Sequence, residues 1–184
     1  MADQGAGFSM TELTGWSLIQ LDLRAAALAA VAAALAGIFD ASCPARVGDV
    51  GSNGAIHIMR TGPRRLWIVL EPGAPVAPLE SLGTQAAVTT LTHGQRRYRL
   101  SGSRAREVLA RCVALDFDDP AFAPGRIAQT QLHRVPVLLH RLGETAFNLH
   151  LPRSFAQSLE EWIADAARLA PSDGNRGVGA RSVC

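Results

Sequence analysis

The sequence predicts an α+β fold assembled from two related β-α-β-β halves that share antiparallel sheet. Three observations lead there. Alternating runs such as 16–23, 55–59 and 97–100 have the two-residue period of strands. Stretches 25–35, 104–112 and 154–166 instead set apolar side chains at helical spacing. An Arg-x-Gly turn between two strands also occurs twice, as Arg60-x-Gly62 and, 81 residues later, as Arg141-x-Gly143. Each copy follows a strand, a helix and a loop, and each leads into a strand closed by Pro72 or Pro152. Such a repeat marks two copies of one unit. Two strand-helix-strand-strand units, each extended by a further helix, give an α+β fold. The half-repeats are expected at 11–94 and 95–170, with residues 1–10 and 171–184 as mobile ends. Domain swapping or a completely different pairing of these strands stays open at this level.

In chain order, Trp16 to Leu23 alternates and reads as the first strand. Ala25 to Leu35 is a helix of very small side chains, which lets another element approach closely, and Gly37 is its expected stop. Phe39 to Asn53 carries Pro44, Gly48 and Gly51 and reads as a surface loop. Ala55 to Met59 and Leu66 to Leu70 form a hairpin about Thr61-Gly62-Pro63-Arg64. A proline-rich loop and a short helical piece at 79–82 follow. Ala86 to Leu91 and Gln95 to Leu100 read as a second hairpin around His93-Gly94.

Ser103 suits a helix N-cap, because its hydroxyl can accept from a free N–H of the first turn. Arg104 to Cys112 is the helix, with Val108, Leu109 and Cys112 on its apolar face. Asp116 to Pro120 breaks it, and Ala123-Pro124-Gly125 turns. Val135 to Arg141 and Ala146 to Leu151 form a hairpin about Leu142-Gly143-Glu144. Pro152 ends that strand, Ser154 can cap the last helix, and Phe155, Leu159, Trp162, Ile163 and Ala166 form its stripe. Leu109, Val137, Leu139, Phe147, Leu149, Leu159 and Trp162 are expected to share one core.

Composition excludes several function classes. A net charge of +2 and the lack of a basic run with interleaved aromatics argue against nucleic acid. Every basic residue apart from histidine is Arg, so no lysine amine is at hand for a Schiff base. Cys43, Cys112 and Cys184 form no Cys-x-x-Cys, which fits a reducing cytoplasm better than a zinc or redox site. The N-terminus has no basic n-region or apolar h-region, and Leu23 to Ile38 is too short and too interrupted to span a membrane. A cytoplasmic protein is the expectation.

No catalytic, cofactor-binding or metal-binding residue emerges. There is no Gly-x-Gly-x-x-Gly and no phosphate loop. Ser101-Gly102-Ser103 lacks the second glycine of a nucleophile elbow, and capping is the better reading. His57, His140 and His150 lie in strands and could converge on a metal if those strands adjoin, but no acidic neighbour completes a site. Satisfied structural histidines are favoured. Cys112 reads as a buried, inert thiol. Asp116, Asp118 and Asp119 lack calcium-loop spacing and read as a solvated loop. Arg104, Arg106 and Arg111 could face an acidic partner or only water. Arg153, beside Phe155, could grip a carboxylate bidentately or simply pin its loop.

The ordered set Ser101 to Asp116, Phe122-Ala123-Pro124-Gly125, Ala128-Gln129-Thr130, the strand ending His140-Arg141, Pro152-Arg153-Ser154-Phe155 and Glu161-Trp162 resembles the gamma subunit of heterotetrameric sarcosine oxidase. More distantly it resembles the glycine-cleavage aminomethyltransferase and its folate-binding relatives. The likeness is dense over 97–165 and looser over 11–71. It implies a fold like the folate-binding domain of aminomethyltransferases. It also implies an accessory, non-redox subunit of a complex that demethylates sarcosine to glycine, passing the one-carbon unit to tetrahydrofolate. FAD, FMN and NAD are then implied on the other subunits and none on this chain. The implied partners are the alpha subunit, in direct contact, and the beta and delta subunits. A chain isolated from them is expected to form homodimers.

The resemblance leaves two alternatives. One is a stand-alone folate-binding protein of aminomethyltransferase type. The other is a gamma-like subunit acting on a different N-methyl amino acid. Ala110-Arg111-Cys112 lacks the Lys and Gly of a signature some folate-binding relatives carry, and Asp49 lacks the motif around their catalytic carboxylate.

Overall fold

The computed structural model describes residues 2–3, 7–75 and 79–169 of the chain; the expected C-terminal tail at 171–184 lies outside the described residues. The first strands are β1 (Ala2–Asp3), β2 (Ser9–Glu12) and β3 (Ser17–Leu23), followed by α1 (Leu28–Phe39). Next come β4 (Val50–Ser52), β5 (Ile56–Gly62), β6 (Arg65–Leu70) and β7 (Ala86–Thr90). The second part runs β8 (Gln95–Ser101), α2 (Ala105–Cys112), β9 (Ile127–Leu132), β10 (Val135–Arg141), β11 (Ala146–Pro152) and α3 (Ala156–Leu169).

Two antiparallel sheets result, in the orders β4-β5-β6-β3-β7 and β9-β10-β11-β8-β2-β1. Aligned from one end, β4 matches β9, β5 matches β10, β6 matches β11 and β3 matches β8. The fifth strands are exchanged. β7, which precedes β8 in the chain, pairs with β3, whereas β2, which precedes β3, pairs with β8. Counted with its exchanged strand, each unit has five strands, β2 to β6 in one and β7 to β11 in the other.

This corrects one expectation: β7 and β8 do not form a hairpin. The Thr92–Gly94 turn between them is a crossover from one sheet to the other. Leu18 N–H donates to Thr92 Oγ1 at 2.9 Å, which fixes the crossover against β3.

The layers follow from strand parity. On the smaller sheet, Leu21, Ile56, Ile58, Leu66, Ile68 and Leu70 face α1 and meet its Val31, Leu35 and Phe39. On the larger sheet, Tyr98, Leu100, Val137, Leu139, Phe147 and Leu149 face α2 and α3. The seven residues predicted to share a core do so: six are buried and Trp162 packs against them half-buried. Between the sheets lies a third cluster of Trp16, Leu18, Met59, Val69, Ile127 and Leu138.

Helix boundaries shift for local reasons. Ala26 takes φ 64°, so a turn precedes α1, and the helix starts at Leu28. Gly37 does not stop it. Phe39, only 3% exposed, holds the last turn on the sheet, and Asp40 closes it at φ 49°. Ser103 and Ser154 cap nothing: α2 has Arg104 at its N-cap with no side-chain cap, and a 3-10 turn at Arg153–Phe155 leads into α3. Residues 8–10, expected mobile, are anchored, since Phe8 and Met10 are buried and β2 pairs along β8. The expected loop at 39–53 contains β4, and β9 completes the larger sheet where the sequence suggested no strand.

The repeated arginines explain the repeated turns. Both are buried and both tie the loop after the helix to the hairpin. Arg60 donates to the carbonyls of Pro44 (3.3 Å) and Pro63 (2.6 Å). Arg141 donates to those of Phe117 (2.8 Å) and Phe122 (2.9 Å) and to Glu144 (2.6 Å). A guanidinium carries enough donors to satisfy several buried carbonyls at once.

Candidate functional site

The distinctive feature of the molecule is a polar seam inside the sheet-on-sheet layer. Parity puts Arg97 and Arg99 of β8 on the inner face while Tyr98 and Leu100 face the helices. The same rule turns His140 of β10 and Asn148 and His150 of β11 inward. Register aligns them across strands: Arg97 stands opposite His150, Arg99 opposite Asn148, and Asn148 opposite His140. From the smaller sheet come His57, Trp67 and Glu71, the last just beyond β6 on the Trp67 face.

Arg97 is 0% exposed, and its Nη2 donates to Glu71 Oε1 at 2.6 Å. The same oxygen lies 3.1 Å from His57 Nε2. His57 Nδ1 is in turn 2.9 Å from Ser52 Oγ, so with Nε2–H donating to the carboxylate the neutral ring's Nδ1 accepts a hydrogen bond from the hydroxyl. Arg97 also lies over Trp16, 5.8 Å from the ring centroid, where the ring face attracts a cation. His150 is wedged edge-on between Trp16 and Trp67. Arg99 Nε donates to Asn148 Oδ1 at 2.7 Å.

The protonation states follow from burial and charge. Burial alone raises the Glu71 pKa, but hydrogen bonds from His57 and Arg97 outweigh it and hold the carboxyl near about 2. Burial, helped by the charge of Arg97 and its neighbours, lowers His140 to about 4 and His150 well below the ordinary histidine value. At neutral pH the seam holds the fully buried Arg97 cation, the half-buried Arg99 cation, the Glu71 carboxylate and the neutral imidazoles of His140 and His150. Arg97 Nε and Nη1, His140 Nδ1, Asn148 Nδ2 and both His150 nitrogens have no protein partner.

The three strand histidines thus converge, and Glu71 supplies the acidic neighbour that the sequence reading did not find. They do not form a metal centre: among the described residues no group of three or more His, Cys, Asp or Glu side chains is placed to hold an ion. Arg97, Glu71 and His57 pair with one another, but His140 Nδ1 and both nitrogens of His150 have no protein partner, so the satisfied histidines expected from the sequence are not what the fold provides. The signal for Glu71 and Arg97 was present as strand parity, since each shares a face with an inward residue two positions away.

The other singled-out residues are dispersed. Cys112 is half-buried, with its thiol raised to about 11 by burial. It lines a surface pocket of about 370 Å³ between α2, α3 and the β9–β10 turn, with Trp162 and His133. Arg104 is buried and donates to Ala167 O, Arg106 pairs with Asp118, and Arg111 pairs with Glu107, so these arginines meet partners within the chain. Asp119 caps the short 3-10 turn at Pro120–Phe122, and Asp116 accepts from Asp118 N–H. Asp49 pairs with Arg126 at 2.9 Å, joining the two sheets at their β4 and β9 ends. Arg153 and Phe155 are exposed, and Arg153 borders a small pocket of about 140 Å³ that Trp16 and Arg97 also line. No helix among the described residues is long and apolar enough to cross a membrane.

Comparison with known proteins adds the following. A family model described as "Sarcosine oxidase, gamma subunit family" matches residues 24–169. The sarcosine oxidase subunit gamma of Arthrobacter sp. is 31% identical over 152 residues, covering 80% of this chain and 74% of that one. The counterpart from Corynebacterium sp. (strain U-96) is 32% identical over 152 residues with the same coverage. Among solved structures, a chain of the heterotetrameric sarcosine oxidase from Corynebacterium sp. U-96 in complex with pyrrole 2-carboxylate superposes with a TM-score of 0.75. It is 24% identical and the match covers 88% of this chain and 84% of that one. Glycine cleavage system aminomethyltransferase T from Bartonella henselae superposes with a TM-score of 0.58 at 20% identity, covering 86% of this chain but 45% of that one. The fold expected from the sequence, an α+β arrangement like that of the aminomethyltransferases, is the fold observed.

Proposed function

The chain belongs to the sarcosine oxidase gamma subunit family, and from that premise we propose that it is the accessory, non-redox subunit of a heterotetrameric sarcosine oxidase. In this reading it packs directly on the alpha subunit, with beta and delta completing the complex in the cytoplasm. The complex demethylates sarcosine to glycine and passes the one-carbon unit to tetrahydrofolate. FAD, FMN and NAD reside on the other subunits.

The observation that carries the reading is the family match, which runs through both repeats from α1 to the end of α3. The seam supports it, since the buried arginine, carboxylate and histidines are engaged in joining the two sheets. Co-expression with the alpha subunit, followed by affinity purification and gel filtration, tests it. A stable complex is expected. A chain that never co-purifies with alpha sinks the reading.

A second reading, a folate-binding protein in its own right, has one observation in its favour. Glu71 is a partly buried carboxylate in a fold shared with aminomethyltransferase T. Its Oε1 is already taken by Arg97 and His57. Calorimetric titration of the isolated chain with tetrahydrofolate separates the two: saturable micromolar binding favours this reading, and no heat favours the first.

A further inference from the structure

We propose that the outer edge of β7 is a docking site for an extended segment of a partner subunit, which adds to the smaller sheet as a further antiparallel strand. The proposal rests on the subunit reading above and names the surface through which part of the contact is made.

β4 is three residues long, and the backbone at Ser42 lies so close that a Cβ on Gly51 would meet its carbonyl oxygen at 1.6 Å. β9 is covered at both ends, by bridges from Val113 to Leu132 and from Asp49 to Arg126. β2 is covered by β1, with Ala2 opposite Met10 and Asp3 opposite Ser9. Among the described residues β7 is bare along its whole length, whereas the β9 edge is open only between its bridged ends, at Gln129 and Gln131.

The exchange of strands makes this more than an exposed edge. β2 and β7 are equivalent, each being the first strand of its repeat and each pairing with the other repeat beyond its four matched strands. One carries an added antiparallel strand, and the other does not. The geometry that accepts β1 on β2 is thus repeated at β7, with nothing from the described residues filling it.

The backbone is poised for the same pairing. In an antiparallel ladder alternate residues bond inward and the remainder face out. Leu91 N–H donates to Leu18 O, and Arg24 N–H donates to Gln85 O, so the odd-numbered residues of β7 bond to β3. Ala86, Val88 and Thr90 therefore turn their N–H and C=O groups outward. Natural edges are usually guarded by charges, proline or a bulge. β7, Ala-Ala-Val-Thr-Thr, has none of these, and residues 87 to 90 are all exposed. An unguarded, β-prone edge of this kind is how proteins take up an extended peptide: main-chain bonds supply affinity and side-chain pockets supply choice. The matching segment is uncharged and rich in β-branched residues. A second copy of this chain is the weaker occupant, because five paired residues fall well short of the roughly 800 Å² per partner that a stable dimer buries.

The test uses the full chain with the alpha subunit of its complex. Hydrogen exchange is followed at Ala86, Val88 and Thr90 with and without alpha, and Val88→Pro is compared with wild type. Val88 N–H faces outward, so proline there removes no bond to β3 and should leave circular dichroism unchanged. Expected are slowed exchange at the three outward amides in the complex and a loss of about tenfold or more in affinity for Val88→Pro. Unchanged exchange with alpha bound overturns the proposal, even if the variant proves misfolded. Equal binding by a folded variant overturns it as well. Loss of a wild-type homodimer in Val88→Pro, with alpha binding intact, reassigns the edge to self-association. A wild-type chain that fails to bind alpha at all removes the subunit reading and this proposal together.

Discussion

Replacing Glu71 with Gln tests whether the seam holds the two repeats together. Arg97 is 0% exposed and its Nη2 lies 2.6 Å from Glu71 Oε1. Removing one member of a buried ion pair strands the other charge and costs about 3–5 kcal/mol. The Glu71 side chain is 27% exposed, so water already screens part of the attraction, and the amide oxygen of Gln can still accept one hydrogen bond. The expected loss is therefore about 2–3 kcal/mol. In a chain of this size each kcal/mol moves the melting temperature by about 2–4 °C, which gives a drop of about 4–12 °C. Urea unfolding followed by tryptophan fluorescence suits the test, because Trp16 and Trp67 both pack on His150 in the seam. The companion variants are Arg97→Met and the double mutant. If the pair is what stabilises, the double mutant should recover part of the loss, since no lone charge remains. A Glu71→Gln variant within about 0.5 kcal/mol of wild type, or strictly additive effects, would refute the reasoning.

Arg141→Met should cost about 1.5–3 kcal/mol in denaturant unfolding, because the carbonyls of Phe117 and Phe122 lose a charged donor inside the fold. Arg60→Met should behave alike, as its repeat equivalent. Leu109→Ala, at a 0% exposed core position, should cost roughly 2–5 kcal/mol, and an effect near zero would mean the helix face is misassigned. Stability should also fall with acid in two stages. His140 has a folded pKa near 4, below its ordinary 6.5, so the unfolded chain binds the proton first and stability declines as pH drops from about 6.5 to 4. Glu71, held near 2, contributes fully above about 4.5 and loses that contribution as pH falls towards 2. His150, held well below the ordinary histidine value, adds to the upper stage, so His140→Phe should make that stage shallower without abolishing it, and Glu71→Gln should flatten the lower; a profile insensitive to both would contradict these assignments.

Most of the strands were legible because alternation is a local property. Val135–Arg141 and Ala146–Pro152 fall where the pattern put them, and so does the shared core around Leu109 and Phe147. Partner choice was not legible. β7 and β8 are separated by a short turn and read as a hairpin, but whether such a turn folds back or crosses between sheets depends on what receives each strand. Here β3 receives β7 and β2 receives β8, at sequence distances that no local signal encodes. The seam was half legible. The histidines stood out by residue type, while Glu71 and Arg97 carried no mark beyond strand parity. Their burial arises only when two separate sheets close on each other.

A buried ion pair adds little net stability over apolar residues of the same shape, so its role here is better sought in specificity. β10 shows why one is useful. Leu138 faces the seam and Leu139 the helices, and both are nearly fully buried, so hydrophobicity alone does not tell the strand which face is which. A one-residue slip of β8, whose two faces must likewise be told apart, would reverse every side chain of that strand. Tyr98 and Leu100 would then enter the seam, and Arg97 and Arg99 would be driven among Val108, Leu109 and Leu159 with no carboxylate to meet them. Arg97 against Glu71 makes that alternative costly, and because the two residues come from different repeats, the same contact also fixes how the repeats face each other. The exchanged strands β2 and β7 hold the halves together by backbone bonds, which tolerate many side chains; the seam sets the register in which those bonds form.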